Sequence, residues 1–259
     1  MVITETDSRG VATVTLNNAD KHNAFDDQLI AQISATFDAL EADLGVRIVI
    51  LQATGRSFSA GADLAWMRRM ADYSYEENHR DATLMAAMFR RINTLSKPTI
   101  ARVHGAAFGG GCELSLMCDF IYAADHARFA LPEVGLGIIP GCGGTQTLAR
   151  AVGERRAKEL VLTGKPFDAH QAERWGMVNQ VCPGSELLNT TLACAQLMAD
   201  GAPLSVRQSK KAIHQGLQGD LRSGLNYEVA AYMPLIHTQD RREGTLAFNE
   251  KRKPRFTGA

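Results

Sequence analysis

Residues Gly105 to Gly144 read GAAFGGGCELSLMCDFIYAADHARFALPEVGLGIIPGCGG. Two runs within this stretch carry one charge each: Glu113 between Gly105 and Cys118, and Glu133 between Phe129 and Gly144. Surface segments carry charge of both signs, and acidic residues are almost never fully buried without a partner. Moving an ionised carboxylate into apolar surroundings is costly. Two acids twenty residues apart, each set among glycines and aliphatic side chains, read either as an acid/base pair or as carboxylates satisfied by backbone or by a basic side chain. Spacing alone leaves both readings open.

The pattern around this stretch alternates strand and helix. Pro98 restricts Lys97 to extended conformations, and Thr99 to His104 reads as a strand. Glycines 109 to 111 lead into a helix through Cys118, followed by a strand at Phe120 to Ala124. Phe129 to Pro140 is irregular and apolar, closed by a Pro140-Gly141 turn. Upstream, Gly10 to Leu16 alternates and is β-branched, so a strand is predicted. A polar loop spans Asn17 to Asn23. Asp26 and Asp27 open a helix to about Leu44, with Leu29, Ile30, Ile33, Phe37 and Leu40 on one face. Arg47 to Gln52 is a strand without alternation, so it should be covered on both faces, as in a parallel sheet. Thr54 to Asp63 is a small-residue loop, and Leu64 to Leu95 is helical with a polar break near Asp72 to Asn78. Downstream come helices at Gly143 to Val152, Glu154 to Thr163 and Ala169 to Trp175, and a short strand at Met177 to Val181. Past Pro183 only helices are predicted: Glu186 to Asp200, Pro203 to Gly216, Asp220 to His237 and Asp240 to Asn249. The fold class is α/β, with partly parallel strands and an all-helical end. That end carries Leu225, Val229, Tyr232, Met233, Leu235 and Ile236, enough apolar surface to cover a partner or to pack on its own core.

At 259 residues, 45% hydrophobic and 22% charged, the chain can bury a core without disulfides or metals. Lys plus Arg equals Asp plus Glu at 28 each, which gives no general pull on nucleic acid or acidic membranes. Five cysteines without CxxC spacing read as reduced thiols. The N-terminus MVITETDSRG resembles neither a secretory signal nor a transit peptide. No uncharged apolar run reaches the ~18 residues of a membrane span. The expectation is a soluble, cytoplasmic protein.

The glycines do not form a phosphate loop. GxxxxGK[ST] is absent, and the GxGxxG spacing fails at Leu114 and at Gln146. There is no GxSxG elbow. The seven histidines show no HExxH, so no metal site is expected. His104, on an apolar strand, reads as a core histidine. What remains are two small-residue loops, Ser59 to Asp63 and Phe108 to Gly111, each between a strand and a helix. Their backbone N–H groups could converge on a carbonyl oxygen, or the small residues could serve tight packing.

FSAGADL (Phe58 to Leu64), GAAFGGGCELSLMCD (Gly105 to Asp119), LPEVGLGIIPGCGGTQTLARAVG (Leu131 to Gly153) and DRREGTLAFNEKRKPRF (Asp240 to Phe256) resemble the enoyl-CoA hydratase/isomerase, or crotonase, family. The resemblance runs from Val11 to Phe256. It implies a spiral of β-β-α units, with a core over residues 1–198 holding an acyl-CoA site and a helical oligomerisation region over 199–259. It implies an oxyanion hole at the N–H groups of Ala62 and Gly110, and catalytic acids at Glu113 and Glu133. Contacts to the substrate fall on Lys21, His22, Ala24, Ala60, Asp63, Leu64, Pro132 and Gly141, with Asn23 in the same loop. Tyr232 and Lys251 match family positions that reach the CoA site of a neighbouring subunit. The implied partners are an acyl-CoA thioester and further copies of the chain, as a trimer or dimer of trimers, with no cofactor beyond the CoA of the substrate.

On this reading, Glu113 in the first turn after the glycines is held ionised by its helix dipole and acts as base. Glu133 among Leu131, Val134 and Leu136 has a raised pKa and acts as acid. Trp66, Met67, Met70, Met85 and Met88 could line an acyl pocket or be ordinary core. Arg68 and Arg69 could meet an acyl carboxylate or a CoA phosphate, or be a solvated face. AGADLAWMRRM is similar to methylglutaconyl-CoA hydratases, while the acid segments also fit short-chain enoyl-CoA hydratases. A Δ3-Δ2-enoyl-CoA isomerase on the same site is the nearest alternative. An RNA-binding module is a more distant one, since the Asp26 to Leu44 helix holds five acids and no Lys or Arg, and KRKPR (Lys251 to Arg255) is the one basic cluster.

Overall fold

The computed structural model describes residues 1–259. Its large sheet is built from β1 (Val2–Thr6), β2 (Val11–Leu16), β3 (Ile48–Ala53), β5 (Thr99–Val103), β7 (Phe120–Ala124) and β10 (Gln180–Cys182), in that spatial order. All neighbours run parallel except the β1–β2 hairpin. A small sheet holds β4 (Ser57–Ser59), β6 (Ala106–Phe108), β8 (Arg128–Ala130) and β9 (Phe167–Asp168), the first three parallel. Three times the chain runs through the large sheet, steps into the small sheet and then turns into helix. These turns are β3-β4-α2/α3, β5-β6-α4 and β7-β8-α5, with α2 (Leu64–Ala71), α3 (Tyr75–Asn93), α4 (Gly110–Leu116) and α5 (Gly144–Val152). This is the expected spiral of β-β-α units.

β3 has the double burial its pattern predicts. Val49 and Leu51 join the main core with Leu29, Ile33 and Phe37 of α1 (Asp27–Ala42), while Ile48 and Ile50 pack with Ala195 and Ala199 of α8 (Leu187–Ala199). α1 starts where Asp26 accepts the N–H of Leu29. It ends over Lys97, which is fully buried with its Nζ donating to the carbonyls of Leu40, Glu41 and Asp43. The polar break between α2 and α3 is a capping box at Ser74 and Glu77.

Several elements depart from the sequence expectation. β1 and all four strands of the small sheet were not anticipated. The small-sheet strands are two or three residues long, too short for a period of two to show. β10 starts at Gln180, where its pairing with β7 begins, and Met177 and Val178 ahead of it are buried in the main core. The Asp220 to His237 stretch ends its α-helix, α10 (Leu221–Tyr232), just before Pro234, which continues as a 3-10 turn. The remaining helices are α6 (Glu154–Thr163), α7 (Ala169–Arg174), α9 (Pro203–Gly216) and α11 (Gln239–Asn249). α10 packs on α9, and no helix is long and apolar enough to cross a membrane.

Candidate active site

The small sheet decides where the two glycine loops meet. β4 and β6 run parallel, so the segments leaving their ends lie side by side. The packing there requires glycine: a Cβ on Gly111 would collide with the Ser59 carbonyl, and one on Gly61 would lie 2.8 Å from the Phe108 carbonyl oxygen and 3.2 Å from the Gly110 nitrogen. Ala62 bridges Phe25 in parallel, and its two neighbours make the bonds: Phe25 donates to Gly61 and Asp63 donates to Phe25. The Ala62 N–H is thereby turned away from that bridge. Gly110 is the first residue of α4 and has no acceptor within its helix. Two unengaged amides, one per loop, stand at adjoining edges.

α4 is buried throughout, so its one carboxylate is internal, and Glu113 is 2% exposed. Its Oε1 accepts the N–H of Cys142 at 2.9 Å and of Gly144 at 2.8 Å. Gly144 is the first residue of α5, so Glu113, which stands in the first turn of α4, is also served by the N-terminal end of α5. Burial pushes Glu113 above its ordinary value, and the two N–H donors pull it down without cancelling that push.

Glu133 opens a 3-10 turn (Glu133–Leu136) and is 7% exposed, with Oε2 lacking any partner. Burial pushes its carboxyl up to about 7, its own amide works against this, and the charge of Glu113 adds to the rise. A Cβ on Gly109 would sit 3.1 Å from Glu133 Oε1. Glu133 thus presses on the glycine run that begins the helix carrying Glu113, and the two acids lie within electrostatic reach of each other.

The predicted contact residues fall into three groups. The first is joined: Ala60 donates to the His22 carbonyl, Lys21 Nζ lies 3.5 Å from Asp63 Oδ2, and Asp63 caps α2 through the N–H of Trp66. Ala24 is buried beside them, His22 Nδ1 meets Ser57 Oγ at 3.2 Å, and Leu64 stands exposed at the rim. Asn23 is fully buried and ties the loop to the carbonyls of Thr54 and Ser57. The second group, Pro132 and Gly141, flanks Glu133 and the Cys142 donor. The third, Tyr232 and Lys251, is exposed, and no hydrogen bond or ion pair ties it to the others.

Of the candidate acyl-pocket residues, Trp66 and Met88 are core, and Met67 and Met70 are half-buried. Met85 is half-buried, with its Cε 3.3 Å from where a Gly110 Cβ would be. Arg69 pairs with Asp27 at 3.2 Å, while Arg68 is exposed. The amides of Cys142 and Gly144 were missed. Their one sequence signal was the glycine run after Pro140, which reads simply as a turn.

Buried paired acids beside two free amides can polarise a carbonyl and move protons at the adjacent carbons, and comparison with known proteins points the same way. The sequence profile of enoyl-CoA hydratase/isomerase matches residues 6–259. The short-chain-enoyl-CoA hydratase of Clostridium acetobutylicum is 41% identical over 94% of this chain and 92% of its own length. An enoyl-CoA isomerase/hydratase of Mycosarcoma maydis is 40% identical over 96% and 93%. The crystal structure of an enoyl-CoA hydratase from Bacillus anthracis superposes with a TM-score of 0.95 at 37% identity, covering 100% of this chain and 99% of that one. With profile, relatives and architecture in agreement over the whole length, this chain belongs to the enoyl-CoA hydratase/isomerase family.

Proposed function

We propose that the protein is an enoyl-CoA hydratase, adding water across C2=C3 of a short-chain or branched 2-enoyl-CoA to give a 3-hydroxyacyl-CoA. The observation that carries this reading is the pair of buried carboxyls, Glu113 and Glu133, beside the unengaged amides of Ala62 and Gly110. The amides receive the thioester oxygen as negative charge builds on it, and losing one such donor typically costs about 3–4 kcal/mol of barrier. Glu113, ionised, takes a proton from water as its oxygen bonds to C3. Glu133, protonated, delivers a proton to C2. Water is the only co-reactant this balance requires. A carboxyl near 7 suits a proton donor working close to neutral pH.

Lys21, His22, Ala24, Ala60, Asp63 and Leu64 would hold the CoA moiety, and Pro132 and Gly141 the acyl side. Tyr232 and Lys251 would complete a neighbouring subunit's site in a trimer or dimer of trimers, in the cytoplasm. The isomerase reading is favoured by one observation, the double name of the Mycosarcoma maydis relative. It needs proton transfer between C2 and C4 and no water. Turnover across a panel of CoA esters separates the two. Loss of enoyl-thioester absorbance with crotonyl-CoA supports hydration, whereas turnover of a 3-enoyl-CoA with crotonyl-CoA untouched supports isomerisation.

A further inference from the structure

We infer that Met117 is a positioning residue for Glu113, acting through the turn that grips the carboxylate; this rests on the catalytic reading of Glu113 given above. Both N–H groups that hold Glu113 Oε1 belong to the peptide neighbours of Gly143, namely Cys142 and Gly144. How those two amides point relative to each other depends on the backbone angles of Cys142 and of Gly143, the latter φ 108°, ψ −4°. On its far side this residue is tied into α5, its carbonyl accepting the N–H groups of Gln146 and Thr147 at 2.8 Å and Thr147 Oγ1 at 3.0 Å. On its near side stands Met117. A Cβ at Gly143 would collide with Met117 Cε, so the methyl fills the space that the missing side chain leaves.

Met117 is 6% exposed and belongs to the main core, so this methyl is not a mobile surface tip. It follows Glu113 by four residues and donates its own N–H to the Glu113 carbonyl at 3.1 Å, which places the two side chains on one helical face. One face of α4 thus engages the same turn twice, through the Glu113 carboxylate by hydrogen bonds and through the Met117 thioether by packing. Without the methyl, Gly143 has free φ/ψ space in front of it, and the Cys142 and Gly144 amides need no longer converge on one oxygen.

The consequence is chemical. The two donors are what lowers the Glu113 carboxyl against the upward push of burial. Splaying them raises its pKa, so the base is lost at a higher pH.

The test is steady-state hydration of crotonyl-CoA by Met117→Ala, Met117→Leu and Glu113→Gln. For Met117→Ala we expect kcat to fall roughly tenfold to hundredfold, the range for a reacting group misplaced by about 1 Å. KM should stay within about twofold, because no contact to the ester is removed. The acid limb of the kcat/KM profile should move to higher pH. Met117→Leu, which keeps the volume, should restore most of the rate and the wild-type profile. Should the alanine variant fail to fold, Met117→Val retains most of the buried volume while withdrawing the terminal methyl, and should shift the limb in the same direction. A merely structural methionine would lower Tm and leave the pH profile of the remaining active protein in place, and that result overturns the inference. Glu113→Gln distinguishes the two failures. If it hydrates at the wild-type rate, the reading of Glu113 falls and the inference with it. An inactive Glu113→Gln beside a Met117→Ala of wild-type profile overturns the inference alone.

Discussion

Glu133 keeps a carboxyl oxygen out of water with nothing to bond it, and the protein meets that by holding the group neutral up to about pH 7. The proposed roles give a bell-shaped rate profile. Glu113 must be ionised and Glu133 protonated, so activity falls on the acid side as Glu113 gains its proton and on the alkaline side as Glu133 loses its own. The limbs report the pair and not each residue separately. Replacing Glu133 by Gln should abolish the alkaline limb in whatever activity remains, which a kcat/KM profile would show. The same shift has a cost in stability. A folded-state value raised from 4.5 to about 7 means stability present at low pH and lost as pH climbs through that window, by about 3 kcal/mol at 1.36 kcal/mol per unit. Glu133→Gln should therefore be more stable than wild type at about pH 8 and no more stable at about pH 4, as urea unfolding at both values would reveal. The sequence showed these acids in apolar company, and hence the push of burial on Glu133. It did not show the donors to Glu113, because hydrogen bonds spanning 29 and 31 residues leave no periodic trace.

Lys97 shows an element closed by a residue far along the chain. Its buried ammonium takes the carbonyls of Leu40, Glu41 and Asp43 at the end of α1, a helix with no basic residue in its own last turn. Lys97→Met keeps the stem and leaves the Leu40 and Glu41 carbonyls without a donor, the Asp43 carbonyl keeping the N–H of Val46. It should lower stability by about 3 kcal/mol, since a bond to a charged donor contributes about 1.5–3 kcal/mol, and chemical denaturation would measure the loss. The long elements were legible for ordinary reasons. α1 showed its apolar face at helical spacing, and β3 showed an unbroken aliphatic run that matches its two buried faces. The small sheet was not legible, although it brings the site together. Ser57–Ser59 and Ala106–Phe108 lie within loops by any local measure, and only their pairing with each other makes them strands.

Across the whole molecule, the C-terminal helices leave an apolar face in water. Leu221, Leu225, Val229, Tyr232 and Met233 are all more than half exposed, which is unusual for a monomer. The sequence named four of these five and left open whether they covered a partner or their own core; a single chain does not cover them. We expect a trimer or dimer of trimers by sedimentation, and expect Leu225→Glu with Val229→Glu to shift it to monomers while far-UV circular dichroism is kept. A molecule that sediments as a monomer before any substitution would remove the role proposed for Tyr232 and Lys251. The claim on which the rest depends is that one buried pair of acids performs both proton transfers of hydration. It is tested most directly by measuring kcat for crotonyl-CoA in Glu113→Gln and in Glu133→Gln, with CoA-ester binding measured on the same samples. We expect a fall of roughly 10²–10⁴-fold in each with binding largely kept; a near wild-type rate in either variant would mean that these acids do not carry the proton transfers.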